Sequence, residues 1–217
     1  MTNNRIVLSY NESLLRSSDI ELLKGPYWLN DTIISFYFEY LQTDLFRNHD
    51  RVLFVAPEIT QCIKVSPLNE LDTFLQPLVD SKRRDFIFFA LNDNEVTDSS
   101  GGSHWSLLVF SRPERMVFHF DSSHGCNDSQ AIELGEKILK YFSMPFQGKF
   151  QNVPCLQQNN GYDCGIHVLC NTEQLASYAT HYGRILGCPQ LPMEKVTAKR
   201  WEVLDIIEGL KYQAYVN

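Results

Sequence analysis

The sequence predicts an α+β domain, a largely antiparallel sheet with helices packed around it. Three observations lead there. Phe86-Ile87-Phe88-Phe89-Ala90-Leu91 is a short unbroken apolar run, the pattern of a strand buried on both faces. Between Trp105 and Phe120 apolar residues recur at every second position on either side of Ser111-Arg112-Pro113-Glu114, the pattern of a hairpin. Helical stretches flank these strands without the regular alternation that a doubly wound parallel sheet requires.

The elements follow in chain order. Val7-Leu8-Ser9-Tyr10 reads as a short edge strand, and Ser18-Asp19 as the cap of a brief helix through Leu23. Asn30 or Asp31 caps a helix over Thr32 to Leu41, apolar around most of its circumference and therefore expected to be buried. A strand follows at Val52 to Val55, and Pro57 and Pro67 each mark a helix start, where the missing N–H costs nothing. In the hairpin, a loop of residues 111–114 pairs Phe110 with Arg115, so that paired numbers sum to 225. That register sets Trp105 against Phe120, Leu107 against Phe118 and Val109 against Met116 on one apolar face, and His104 opposite Asp121 on the other. Asn127 or Asp128 caps a helix to about Tyr141, and Phe150 to Val153 forms a strand. A helix opens at Cys164 and ends near Tyr178, and an amphipathic surface helix covers Trp201 to Leu210.

With no repeat, low-complexity tract or Pro/Gly-rich linker, the 217 residues are expected to form one domain over 1–217. Hydrophobic residues at 44% and charged residues at 21% suit a globular chain. Lys and Arg number 19 and Asp and Glu 26, so the net charge is 19 − 26 = −7. That balance argues against a nucleic-acid binder, which needs a basic stripe. It fits either a partner with an exposed basic segment or simple solubility. Six cysteines, at 62, 126, 155, 164, 170 and 188, show no disulfide framework and are expected as thiols in a reducing cytoplasm or nucleus. No apolar run approaches the roughly 20 residues of a membrane span, and no secretory h-region follows Met1. A monomer is the expectation.

Chemistry concentrates in Gln158-Asn159-Asn160-Gly161-Tyr162-Asp163-Cys164-Gly165. Here a cysteine stands where a Gly/Asn-rich loop enters a helix, whose N–H groups and positive end favour a thiolate. Gln158 can fold back beside the sulfur and donate to the oxygen that becomes negative when a carbonyl is attacked. Taken alone, Cys164 reads either as a nucleophile or as a buried structural thiol. A nucleophile needs a base and the base an orienting acceptor; His104 and Asp121 offer both across the hairpin. His167, three residues after Cys164, is a rival base that lacks an evident acid. His119 reads as a satisfied interior or half-exposed histidine, His124 as a solvated one and Asp163 as a helix cap. Zinc on Cys155, Cys164, His167 and Cys170 lacks the paired Cys-x-x-Cys spacing, so zinc is not expected. Trp28 reads as a core aromatic, and Trp105 either as one or as the wall of a cleft that admits only very small residues. Asp31 either caps its helix or reads a positive side chain.

With these residues in place, the chain resembles the sentrin-specific, ubiquitin-like-protein proteases. The matching motifs are Trp28-Leu29-Asn30-Asp31, His104-Trp105, Phe118-His119-Phe120-Asp121-Ser122 and the octapeptide Gln158 to Gly165, in that order. Val7-Leu8-Ser9-Tyr10 and Ser13-Leu14-Leu15-Arg16 are most similar to the deneddylase branch. The resemblance implies a papain-like (adenain/Ulp-type) cysteine protease fold without metal or cofactor. It implies Cys164 as nucleophile, His104 as base, Asp121 as its orienter and Gln158 as oxyanion donor. Trp28 and Trp105 would line a tunnel for the diglycine tail of a ubiquitin-like modifier, most closely the neddylation modifier, with Asp31 beside it. Both precursor trimming and isopeptide cleavage at target lysines are implied. His167 departs from the aromatic commoner at its position. A SUMO- or ubiquitin-directed protease, an acetyltransferase with the same triad order, and a non-catalytic binding module are the competing readings.

Overall fold

A computed structural model describes residues 4–78, 84–95, 101–142 and 148–216. Strands β1 (Ile6–Tyr10) and β2 (Ser13–Arg16) form an antiparallel ribbon of their own instead of edging the main sheet. Helix α1 (Ser17–Lys24) starts where Asp19 accepts the N–H of Arg16 at 2.7 Å. Helix α2 (Asp31–Tyr40) is capped by Asn30, whose side-chain oxygen accepts the N–H of Ile33 at 3.1 Å. The Asn30 amide also reaches Asp19 at 2.9 Å, tying the two helix starts together.

The central sheet runs in the order β3 (Val52–Val55), β4 (Phe86–Asn92), β5 (Trp105–Ser111), β6 (Met116–Phe120), β7 (Lys149–Asn152). The long inner pairings are antiparallel, as expected, and the short outer ones, β3 with β4 and β6 with β7, are parallel. Helices α3 (Pro57–Val65), α4 (Leu71–Leu75) and α5 (Asp128–Tyr141) cover one face of this sheet, over Ile87, Phe89, Leu91, Leu108, Phe110 and Val117. Helices α2, α6 (Cys164–Tyr182) and α7 (Met193–Val216) cover the other, over Phe86, Phe88, Leu107, Val109 and Phe118. The run Phe86 to Leu91 is buried throughout because each of its faces meets one of these two cores.

The hairpin differs from expectation by one residue on each strand. Ser111 pairs with Met116 and Leu107 with Phe120, so paired numbers sum to 227 and the loop is residues 112–115. Ser111 stays in the strand because β4 also holds it, opposite Phe86. Its hydroxyl donates to Glu114 at 2.7 Å, and Arg115 takes a left-handed φ of 57° to close the turn. A shift of two in the sum preserves the alternation, so Trp105, Leu107 and Val109 still share a face with Phe118 and Phe120.

Several ends also differ. Asn127 precedes α5 without capping it, because its amide is drawn to Ser106 at 2.9 Å and to the Leu91 carbonyl at 3.4 Å. Pro67 leads into a short 3-10 turn, Leu68–Glu70. Helix α6 runs past Tyr178 to Tyr182, where Gly183 takes the left-handed conformation that ends it. Helix α7 extends well beyond Trp201 to Leu210 in both directions.

Candidate active site

Three separated segments converge at the end of the sheet. His104 lies just before β5, Asp121 just after β6, and Cys164 is the first residue of α6. In the observed register Asp121 is the diagonal neighbour of His104, and the side chains close the gap: His104 Nε2 lies 2.6 Å from Asp121 Oδ1. Cys164 lies close enough to the ring for its interaction with the imidazole to raise the His104 pKa. All three residues are buried.

The electrostatics favour a charged pair. Burial alone would lower the pKa of His104, but hydrogen bonds to Asp121 and Cys164, and the charges they carry, raise it well above 6.5. Asp121 is held below the ordinary carboxylate range: burial opposes this, and the bonds from His104, Ser123 and Asn127 outweigh it. Its Oδ1 accepts the N–H of Ser123 at 2.9 Å and its Oδ2 that of Asn127 at 3.1 Å.

Gln158 is anchored next to Asp121. Its backbone N–H donates to the Ser122 carbonyl at 2.8 Å, and the Ser122 hydroxyl donates to its side-chain oxygen at 2.9 Å. Its amide nitrogen donates to the Asn160 carbonyl at 2.7 Å, inside the loop that leads to Cys164.

The cleft beside Cys164 has a volume of about 470 Å³ and is lined by Trp28, Leu29, Asp31, Glu58, Gly102 and Trp105, among others. The two tryptophans differ. Trp105 is 9% exposed, with its indole N–H on the Leu29 carbonyl at 3.0 Å. Trp28 is 51% exposed, and its indole N–H reaches across to the Gly161 carbonyl. Asp31 accepts the N–H of Thr32 at 2.9 Å, while the capping belongs to Asn30. Gly165 has no room for a side chain: an added Cβ would lie 2.9 Å from Cβ of Leu29, so the nucleophile's helix is pressed against the tryptophan-bearing loop.

The remaining candidates sort by environment. His119 is buried between Asn152 at 2.9 Å and Ser106 at 3.0 Å, and burial lowers its pKa, as expected of a satisfied interior histidine. Burial likewise lowers that of His167, whose Nδ1 meets no partner. Asp163 does not cap α6 through its side chain, which bonds instead to Arg200 and Asn160. All six cysteines are free, and among the described residues no cluster of three or more His, Cys, Asp or Glu side chains is gathered to hold a metal.

Asp93 was not legible as part of the site. Its carboxylate accepts the N–H of Ser103 at 2.6 Å and of His104 at 3.1 Å, and the Ser103 hydroxyl at 2.8 Å, clamping the loop that carries the base. The one available signal was an acid at the end of a strand that must lie beside β5.

Residues 27–203 match the Ulp1 protease family, C-terminal catalytic domain. The chain belongs to that family. It is 40% identical over 208 residues to sentrin-specific protease 8 of Rattus norvegicus, covering 94% of this chain and 95% of that protein. To NEDD8-specific protease 1 of Arabidopsis thaliana it is 32% identical over 179 residues, covering 82% and 78%. The fold is shared with the solved C-terminal Ulp1 protease domain in complex with Smt3, the yeast ortholog of SUMO: TM-score 0.73, 19% identity, 97% of this chain and 90% of that one.

Proposed function

We propose that this family member is a cysteine protease that cleaves after the C-terminal Gly-Gly of a ubiquitin-like modifier, and that the modifier is the one used in neddylation. One observation carries the reading. A single buried imidazole holds Asp121 at 2.6 Å and interacts with Cys164, which lines a cleft flanked by two tryptophans. The likeness to the Arabidopsis thaliana protein named for NEDD8 supports the choice of modifier.

In the reaction, the thiol's proton already rests on His104 and the Cys164 sulfur attacks the carbonyl of the last glycine. The tetrahedral oxygen takes the electron pair and is met by the Gln158 amide and by N–H groups at the start of α6. When the C–N bond breaks, the His104 imidazolium protonates the departing amine, a lysine side chain or a precursor tail, and a thioester remains. Water then attacks with His104 as base, the modifier leaves with a free carboxylate, and the thiol is restored. Asp121 keeps the ring in one tautomer and balances its charge throughout. Trp28 and Trp105 restrict the passage to residues without side chains, and Asp31, which lines the cleft, meets a positive residue of the tail. Neither metal nor cofactor enters any step. A reducing cytoplasm or nucleus is the setting in which these thiols persist.

The test is incubation with modifiers carrying a C-terminal electrophile. A covalent adduct with the neddylation modifier is expected. An adduct with the SUMO modifier alone would overturn the specificity, and no adduct with any modifier would overturn the enzymatic reading in favour of a binding module.

A further inference from the structure

Arg200 on α7 takes no part in the chemistry above, yet its guanidinium is where three segments of the site meet. Nε and Nη2 donate to Asp163 Oδ1 at 3.1 and 2.7 Å, Nη1 donates to the Leu22 carbonyl at 2.7 Å, and Nη2 also donates to the Tyr27 carbonyl at 2.8 Å. The group also sits 5.8 Å from the ring centroid of Tyr162. It therefore binds the residue before the nucleophile, the residue before Trp28, and the end of α1.

The bonds continue past Asp163. Its Oδ2 accepts the Asn160 amide at 2.8 Å, and Asn160 Oδ1 in turn accepts the N–H groups of Tyr162 and Asp163, each at 3.0 Å. The carbonyl of the same Asn160 accepts the Gln158 amide at 2.7 Å. An unbroken line of hydrogen bonds thus runs from the C-terminal helix to the amide nitrogen assigned to the oxyanion.

We propose that Arg200 is a positioning residue for the hydrolysis: acting through Asp163 and Asn160, it fixes the Gln158 amide where the tetrahedral oxygen forms. The proposal rests on the oxyanion role given to Gln158 above. A planar fork serving three acceptors in different directions is a task for arginine, and the single ammonium of lysine cannot reproduce it. The pair with Asp163 is partly buried, with the two side chains 14% and 19% exposed, so solvent does not readily substitute for either partner.

The test separates two reactions of the same sulfur. Hydrolysis of an amide at the modifier's C-terminus passes through an oxyanion. Alkylation of Cys164 by iodoacetamide displaces iodide and forms none. Arg200→Ala is expected to lower kcat about 10-fold, less than loss of the donor itself, and to leave the alkylation rate and its pH profile unchanged. In a Gln158→Ala background the same substitution should cost nothing further, because the two residues act as one unit. Arg200→Lys should not restore the rate. Asp163→Asn leaves Arg200 to hold the two carbonyls and should give the same loss, and it carries the test if Arg200→Ala does not fold. An unchanged kcat in both variants, a loss fully additive with Gln158→Ala, or an equal fall in alkylation would overturn the proposal while the protease reading stands. A wild-type kcat in Gln158→Ala alone would overturn the oxyanion assignment and this proposal together.

Discussion

Replacing Asp121 by asparagine probes the base and its orienter with one atom changed. In the wild-type protein Oδ1 accepts from His104 Nε2 and from Ser123 N–H, and Oδ2 accepts from Asn127 N–H. An asparagine can present its oxygen to the first two only by turning its NH2 onto the Asn127 N–H, a buried donor against a donor that costs about 1–3 kcal/mol. The opposite rotamer moves the conflict onto His104. Either way the negative charge is gone, and with it the strongest influence holding His104 protonated. The pKa of His104 should fall, so the alkaline limb of the kcat profile, where the imidazolium loses its proton, should move to lower pH. The expected rate loss is on the order of 10³–10⁴-fold, the scale for an orienting acid replaced by its amide. Stability has its own pH signature. The raised His104 contributes below its unfolded pKa, and that contribution is lost as pH rises through the folded value. The lowered Asp121 contributes above its unfolded pKa, and that is lost as pH falls through the folded value. The melting-temperature difference between wild type and Asp121→Asn should therefore be widest between the two unfolded values, 3.8 and 6.5, and narrow towards both extremes. Rates on a C-terminal amide of the modifier across pH, with melting curves at each pH, measure both effects. A near-normal kcat with an unmoved alkaline limb would refute the reasoning.

Three other substitutions test neighbouring parts. Gln158→Ala should reduce kcat by about 10²–10³-fold with the fold intact, read from turnover on the same amide. Gly165→Ala must push Leu29 aside, and a loss of about 1–3 kcal/mol in denaturant unfolding, with slowed alkylation of Cys164, is expected. Asp93→Ala releases the Ser103 and His104 N–H groups, and turnover should drop about 10-fold or more, because small displacements of a base are costly, while the modifier still binds in titration calorimetry.

Much of this was legible in the chain because the decisive signals are short-range. The unbroken run at Phe86 announced a strand buried on both faces, and the alternation around residues 111–116 announced a hairpin whose apolar face is as expected. The turn itself was misplaced by one residue because Ser111 answers to β4 as well as to its own loop, a tertiary demand that loop composition does not express. His104 and Asp121 met all the same, since an even shift in register keeps both on one side and a diagonal contact is within reach. Asp163 was misread for a similar reason. Its place before a helix suggests a cap, yet an arginine 37 positions later claims the carboxylate. Arg200 left no local trace, and Asp93 only its place as an acid at a strand end, because what they hold lies in other segments.

Mapping the site of modification by a neddylation modifier with a C-terminal electrophile tests the central claim most directly. The account predicts one adduct per chain, on Cys164, that disappears in His104→Ala. Modification at another cysteine such as the exposed Cys126, or undiminished labelling of Cys164 without the imidazole, would contradict it.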